Sequence, residues 1–424
     1  MPNLQPNSHL NQAHALPFDQ IPNDGNYHEM DLINTRPLDI AFPQGHMAAV
    51  AAGFSPDGKY AFAQVKTAQG AALAKIDSST GKVLTSFPIT TGQPSSLLTQ
   101  VLAPLQANFI SGLDVAGKGM LTFVEVQHGD FMEKVPNAWV PVLLDAQTGK
   151  ALKAIDKAHP LLCNQISKMK LSSDGQYLAV EMDMTLDAFD PQHQDIVLYD
   201  LSANKRIAHF KGGSLHKPLP PPEYGEPTLS PQSVYGAGGL AWVPGGTLML
   251  QRDAHEFEDQ WLLSYETQTK SWSKWGEGVD LDGPQMTTIS PSGRHFILRH
   301  TQAGVVGGEF PHLFSLPGYQ NLGPLNLLNA QGSNVFSLQD GGRKFIWAPG
   351  DSHLLMIGTD SQRKIWYALV YDFAQQRISQ MHRLPVGGDF GPHAIGLTPG
   401  GEMLILADKP GSVNALRILR FKAF

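Results

Sequence analysis

Cysteine is almost absent: Cys163 is the only one in 424 residues, which excludes an intrachain disulfide and a thiolate metal cage. Charge is also scarce, at 16% of residues against roughly 25% in an average soluble domain. Nor is there a basic excess. The 31 Lys+Arg stand against 38 Asp+Glu, a formal charge of −7, so nothing electrostatic recommends nucleic acid or an anionic membrane as partner. Long apolar runs are missing as well: Met47 to Phe54, the longest, has eight residues, far from the ~20 of a spanning helix. The opening MPNLQPNSHLNQAHALPFDQ has no basic start, apolar stretch or small-residue cleavage site of a signal peptide.

What is abundant is turn chemistry. Gly and Pro number 42 and 31, about 17% of the chain against an average near 12%, a profile of many tight turns between buried strands. A phrase recurs seven times: FSPDGKYAFAQ from Phe54, VAGKGMLTFVE from Val115, LSSDGQYLAVE from Leu171, WVPGGTLMLQR from Trp242, ISPSGRHFILR from Ile289, WAPGDSHLLMI from Trp347 and LTPGGEMLILA from Leu397. Each reads as strand, Gly-bearing turn, strand. Anchors at 55, 116, 172, 243, 290, 348 and 398 are spaced about 57 residues apart, somewhat longer than the ~40 to 50 of ordinary propeller repeats.

After most phrases a second hairpin signal follows, as in Lys75 to Phe87, Leu143 to Ile155, Leu198 to Phe210, Ser264 to Trp275 and Val370 to Met381, giving four strands per unit. From Thr398 onward only 27 residues are left, too few for four strands, while Met30 to Phe42 looks like a missing strand pair placed ahead of the first repeat. The expected fold is therefore all-β: a single seven-bladed β-propeller over residues 30–424, its last blade completed by a strand at Arg36 to Phe42. Between 310 and 345, FSLQDGG mimics the repeat phrase and leaves an eight-unit count open. Residues 1–29, rich in Asn, Gln, His and Pro, read as a flexible tail. It is like the leader of an exported protein, so the compartment stays open between periplasmic or secreted and cytoplasmic.

The SPDGKY and SSDGQYLAV turns, with Tyr199-Asp200 and Tyr371-Asp372 where a Trp-Asp pair would stand, resemble WD-repeat and related bacterial YVTN-like propellers. The chain departs from the WD pattern in having one Gly-His pair, Gly45-His46, and no Trp-Asp dipeptide. The resemblance implies architecture only, because such families include partner-binding scaffolds, lactonases and redox enzymes.

In a four-stranded blade the first-to-second and third-to-fourth turns share one rim. Here those turns are short, whereas the opposite rim receives long segments: Thr90 to Gly112, His128 to Ala138, Asp156 to Lys168, Asp183 to Asp195, Lys211 to Gly239 and Asp253 to Gln260. Loops of that length mark the functional face. Lys211 to Gly239 carries HKPLPPPEYGEP, extended and solvated, a stiff surface loop or a docking arm. SSLLTQVLAPL spaces Leu97, Leu98, Val101, Leu102 and Leu105 for a short helix packed on the rim.

Nine places after each anchor stand Gln64, Glu125, Glu181, Arg252, Arg299, Ile357 and Ala407. Glu125, Glu181, Arg252 and Arg299 would line a polar site for a zwitterionic or anionic ligand, assisted by Asp183, Asp253 and His300. The alternative makes them structural ion pairs between adjacent blades. The acidic groups around Asp183, Asp187, Asp190, His193 and Asp195, and around His255 to Asp259, lack EF-hand order, and no His-Glu-x-x-His, Gly-x-Ser-x-Gly, P-loop or dinucleotide motif occurs. No metal and no cofactor are expected. Trp261, Tyr265, Trp272 and Trp275 form either a recognition platform or packing between blades. Two functions follow: a non-catalytic scaffold gripping a protein or peptide, or a lactonase-like hydrolase with Glu125 or Glu181 as base and Arg252 or Arg299 as oxyanion stabiliser. No oligomeric state follows from the sequence.

Overall fold

The computed structural model describes residues 29–31, 37–43, 47–68, 70–88, 109–116, 119–130, 132–184, 194–210, 237–252, 261–275, 286–301, 309–316, 318, 320–325, 345–360, 365–384, 392–409 and 415–424. They form seven sheets, each built on consecutive antiparallel strands and taken up in chain order apart from the N-terminal segment. Blade 1 spans 47–88, blade 2 109–163, blade 3 165–210, blade 4 237–275, blade 5 286–324, blade 6 345–383 and blade 7 394–422. Seven is thus the count, and the fifth blade takes its outer strands from Glu309–Ser315 and Asn321–Pro324. The first strand of every blade touches the first strands of both neighbours, and Ala394–Leu397 of blade 7 touches Met47–Phe54 of blade 1, which closes the circle. Among the described residues there is no α-helix, and none is long and apolar enough to cross a membrane.

Closure is made by the N-terminal segment. Leu38–Asp39 pairs antiparallel with Leu416–Lys422 as the outermost strand of blade 7, and the Ile40 N–H donates to the Leu416 carbonyl. The same segment reaches further than the sequence foretells. Glu29–Asp31 lies parallel to Arg377–Arg383 as a fifth strand on blade 6, and Ala41 bridges in parallel to Lys82 of blade 1. One stretch of chain therefore ties three blades together.

The repeat phrase is a turn that satisfies itself. In blade 1 the Ser55 hydroxyl donates to Asp57 and accepts from the Tyr60 N–H at 3.0 Å. Ser172, Asp174 and Tyr177 repeat this in blade 3. Gly58 sits at φ +65°, where a Cβ would meet Thr398 of blade 7 at 2.9 Å, hence glycine. Blade 5 has Ser292 in place of the aspartate, and the carboxylate arrives from the next blade: Asp351 accepts from the Ser292 hydroxyl and from its N–H at 3.2 Å, with His295 Nδ1 3.5 Å away. Blade 6 in turn has Ala348 where the other blade has the serine.

The third-to-fourth turns use another device. Asp77, Asp145, Asp200 and Asp372 each accept N–H groups two and three residues on, the Asx-turn chemistry that favours Asp there. Tyr199 and Tyr371 just before are fully buried between blades, so in the Tyr-Asp pair one residue fills the core and the next starts the turn. Burial pushes the Tyr199 hydroxyl up to about 12.

The core lies between blades. Along each second strand alternate residues serve opposite neighbours: Leu121 and Phe123 pack with Leu178 and Val180 of blade 3, while Met120 and Val124 pack with Phe62 and Leu73 of blade 1. Both faces are apolar, so these strands read as continuous hydrophobic runs, the signature of two-sided burial. Each such side chain contributes about 1.5–3 kcal/mol.

Candidate functional site

First strands run toward the short-turn rim and second strands return, so second-strand ends mark the mouth of the ring on the long-connection face. Where each residue falls along its strand depends on the length of the preceding turn. Ser55, Ser172, Ser290 and Ala348 bond to residues five places on, Thr398 and Val243 pair four places on, and Ala116 pairs with Gly119 three places on. Aligned by these pairs, the rung of Gln64 is shared by Phe123, Glu181, Gln251, Arg299, Ile357 and Leu406. Glu181 and Arg299 keep a common rung. Glu125 lies two residues nearer the mouth, and Arg252 one residue beyond its rung. The expected Glu-Glu-Arg-Arg level is therefore spread over three rungs, because one count of nine was applied to turns of three lengths.

Glu181 is fully buried, opposite Lys168 in the ladder, with Lys168 Nζ 3.3 Å away. Glu125 is buried beneath His128, whose Nδ1 is 3.1 Å distant. These contacts come from the same blade as each glutamate, not from the blade beside it. Asp183 receives Asn164 Nδ2 at 3.4 Å and Gln165 Nε2 at 3.3 Å. Asp195 is buried with His209 Nε2 at 2.7 Å. The backbones of Arg252, Arg299 and His300 lie in second strands of blades 4 and 5. Asp253, Asp187, Asp190, His193, the His255 to Asp259 group, the SSLLTQVLAPL segment and the Pro-rich 211–236 lie outside the described residues. Of the aromatic group, Tyr265 packs edge-on against Phe210 of blade 3 at 5.1 Å, a contact between blades.

The sequence reading missed two features. His393 Nε2 lies 2.9 Å from Asp408 Oδ1, both partly exposed, at the start of the first and end of the second strand of blade 7. Counting ten places rather than nine from the anchor at 398 finds Asp408 in the sequence. The second feature is in blade 2, whose fourth strand breaks after Ala151–Ala154 and resumes as Leu161–Cys163 along the same partner. Asp156 at φ +46° makes the break, so Asp156 to Lys168, read as a loop, holds a strand. Cys163 is buried there, and burial with the Asp183 and Asp195 charges pushes its thiol up to about 12, which leaves it inert.

Blade 2 also carries a braced hairpin on this face. Asp130 and Val135 exchange backbone bonds, and Asp130 accepts the Met132 N–H at 2.9 Å and the Glu133 N–H at 3.2 Å. Asn137 accepts the Gly129 N–H and donates to the Asn164 carbonyl, both at 2.6 Å. A Cβ on Gly129 would fall 2.1 Å from the Val135 carbonyl. At the tip Met132 is 86% exposed.

The class these observations define is a seven-bladed β-propeller with short turns on one face and longer connecting segments on the other. No protein-family model matches the chain, and no curated protein matches it. Solved structures do. Among them are hydrazine synthase of Kuenenia stuttgartiensis, 14% identical with TM-score 0.52 over 91% of this chain and all of that one, and an oligogalacturonate lyase in complex with manganese, 11% identical with TM-score 0.56 over 91% and 96%. The Pan2 WD40 domain of Neurospora crassa is 10% identical with TM-score 0.50 over 93% and 97%. At these identities the likeness is one of fold.

Proposed function

We propose that the protein is a non-catalytic propeller scaffold that binds a protein or peptide partner through its long-connection face. The hairpin of residues 128–130 and 132–136 carries this reading: it holds an exposed methionine on a backbone braced by five backbone and side-chain bonds. The braced backbone of the tip lowers the ordering cost of binding, which then falls on the Met132 side chain alone. The short-turn face, by contrast, spends its carboxylates on its own turns. Fold neighbours include both a WD40 domain and enzymes, so the fold alone does not choose. The test is quantitative affinity capture, repeated with purified partner, for wild type, Met132→Asp with Val135→Asp, and a short-turn set of Ser79→Glu with Ser202→Glu. Loss confined to the hairpin variant supports the reading; loss confined to the short-turn set overturns it.

The His393–Asp408 pair favours one second reading, a lactonase-like small-molecule hydrolase at the channel mouth. With Nε2–H donated to Asp408, the Nδ1 of His393 is the proton acceptor a general base needs. Turnover of a lactone and ester panel that His393→Gln abolishes would establish it; unchanged turnover would remove His393 from the chemistry.

A further inference from the structure

Among the described residues six large hydrophobic side chains are exposed, and five of them, Leu84, Met132, Val135, Leu152 and Leu162, belong to blades 1 and 2. Leu162 is the centre of the resumed strand Leu161–Cys163, the outermost strand of blade 2 at its long-connection end. Leu161 and Cys163 point into the core, and Leu162, 55% exposed, points out. Met132 and Val135 stand on the hairpin that Asn137 ties to Asn164, the residue following this strand.

Open strand edges are ordinarily blunted by charge, proline or cover. The outer strand of blade 3 begins Lys205-Arg206 and that of blade 5 ends in Gly323-Pro324, while blade 6 is covered by Glu29–Asp31. Leu161–Cys163 carries no charge, and among the described residues no further strand pairs with its outer edge. In blade 6 the corresponding edge accepts an extended segment of three residues as an added strand, which demonstrates within this molecule what kind of occupant an outer edge takes.

We infer that the Leu161–Cys163 edge is a strand-addition site for an extended segment of a partner protein, with apolar side chains at alternate positions lying on Leu162, Met132 and Val135. Main-chain bonds supply affinity and the alternate side chains specificity. This rests on the partner-binding reading above and gives it a place and a mode.

The test pans a displayed library of random linear dodecapeptides on the full chain, then follows amide exchange with and without a synthetic copy of the enriched peptide. The expected result has three parts: slowed exchange at Leu161–Cys163, binding weakened about tenfold or more by Leu162→Lys, and a like loss when alternate peptide amides are N-methylated. The last arm does not depend on how the variant folds. Protection elsewhere on the long-connection face overturns the strand-addition site and leaves the partner-binding reading standing; protection only on the short-turn face overturns both. A dimer in sedimentation that Leu162→Lys converts to monomer makes the occupant a second copy and overturns the assignment to a foreign segment. Absence of any enriched peptide also overturns it.

Discussion

Joining Asp39 to Arg417 by a disulfide tests the closure of the ring directly. The Ile40 N–H donates to the Leu416 carbonyl, so 40 and 416 are a hydrogen-bonded pair and the adjacent pair 39 and 417 is non-hydrogen-bonded, with Cα atoms about 4.5 Å apart. That separation falls inside the range a disulfide spans. The bond would close a loop of 378 residues, for which the chain-entropy relation gives about 6 kcal/mol, with engineered bridges delivering about 2–4. Asp39→Cys with Arg417→Cys removes the Asp39 contacts to Arg417 at 3.0 Å and Lys409 at 2.8 Å, about 1 kcal/mol at this exposed site. That cost is common to oxidised and reduced protein and cancels between them. Cys163, buried and with its thiol near 12, does not compete for the new thiols. The assay is urea unfolding of the double variant with and without reductant. Quantitative oxidation and a higher midpoint when oxidised are expected. A pair of thiols that stays reduced under mild oxidant would falsify the adjacency of the two ends, and the blade assignments with it.

Cys163 should react with a thiol reagent at pH 8 about a thousandfold more slowly in native protein than in urea; comparable rates would mean the blade 2 to blade 3 core is open. Asp351→Ala should cost about 3 kcal/mol through loss of charge-assisted bonds across two blades, read from the urea midpoint, whereas Asp57→Ala, in an exposed turn, should cost about 1. Burial lowers His382 to about 4, so the unfolded chain takes up a proton near pH 6.5 while the native one stays neutral. Its stability is full above pH 6.5 and falls by about 3 kcal/mol toward pH 4; His382→Phe should flatten that segment of the profile. Asp39, Asp77 and Asp351 are depressed, the first two chiefly by hydrogen bonds from Lys409 and Ser79, and Asp351 by those from Ser292 and Ser290 against the desolvation that opposes them. Their contribution is present above about pH 4 and is lost as pH falls through the lowered native values; stability unchanged between pH 4 and 2 would refute it.

The architecture was legible because each repeat writes its own turn. Ser55, Asp57 and Gly58 specify a local geometry by chemistry acting over six residues, and the missing strand of blade 7 could be found by comparing chain ends. The site was harder to place because its residues are positioned by register. A turn shortened by one residue shifts every later side chain by one and changes its face, which moved Ala407 off the rung and Arg252 one place beyond it. Asp351 escaped notice because the turn it completes, at Ser292, lies 59 residues away. Glu29–Asp31 and Leu161–Cys163 are three residues each, too short for a period-two pattern to register.

The tie that runs over blades 6, 7 and 1 has a consequence for synthesis. Leu38 and Asp39 meet their partner strand only after some 378 further residues have been made, about 20 to 75 s at typical elongation rates. Throughout that interval the nascent toroid has an unsealed seam, and unpaired strand edges of that kind are where chains associate wrongly.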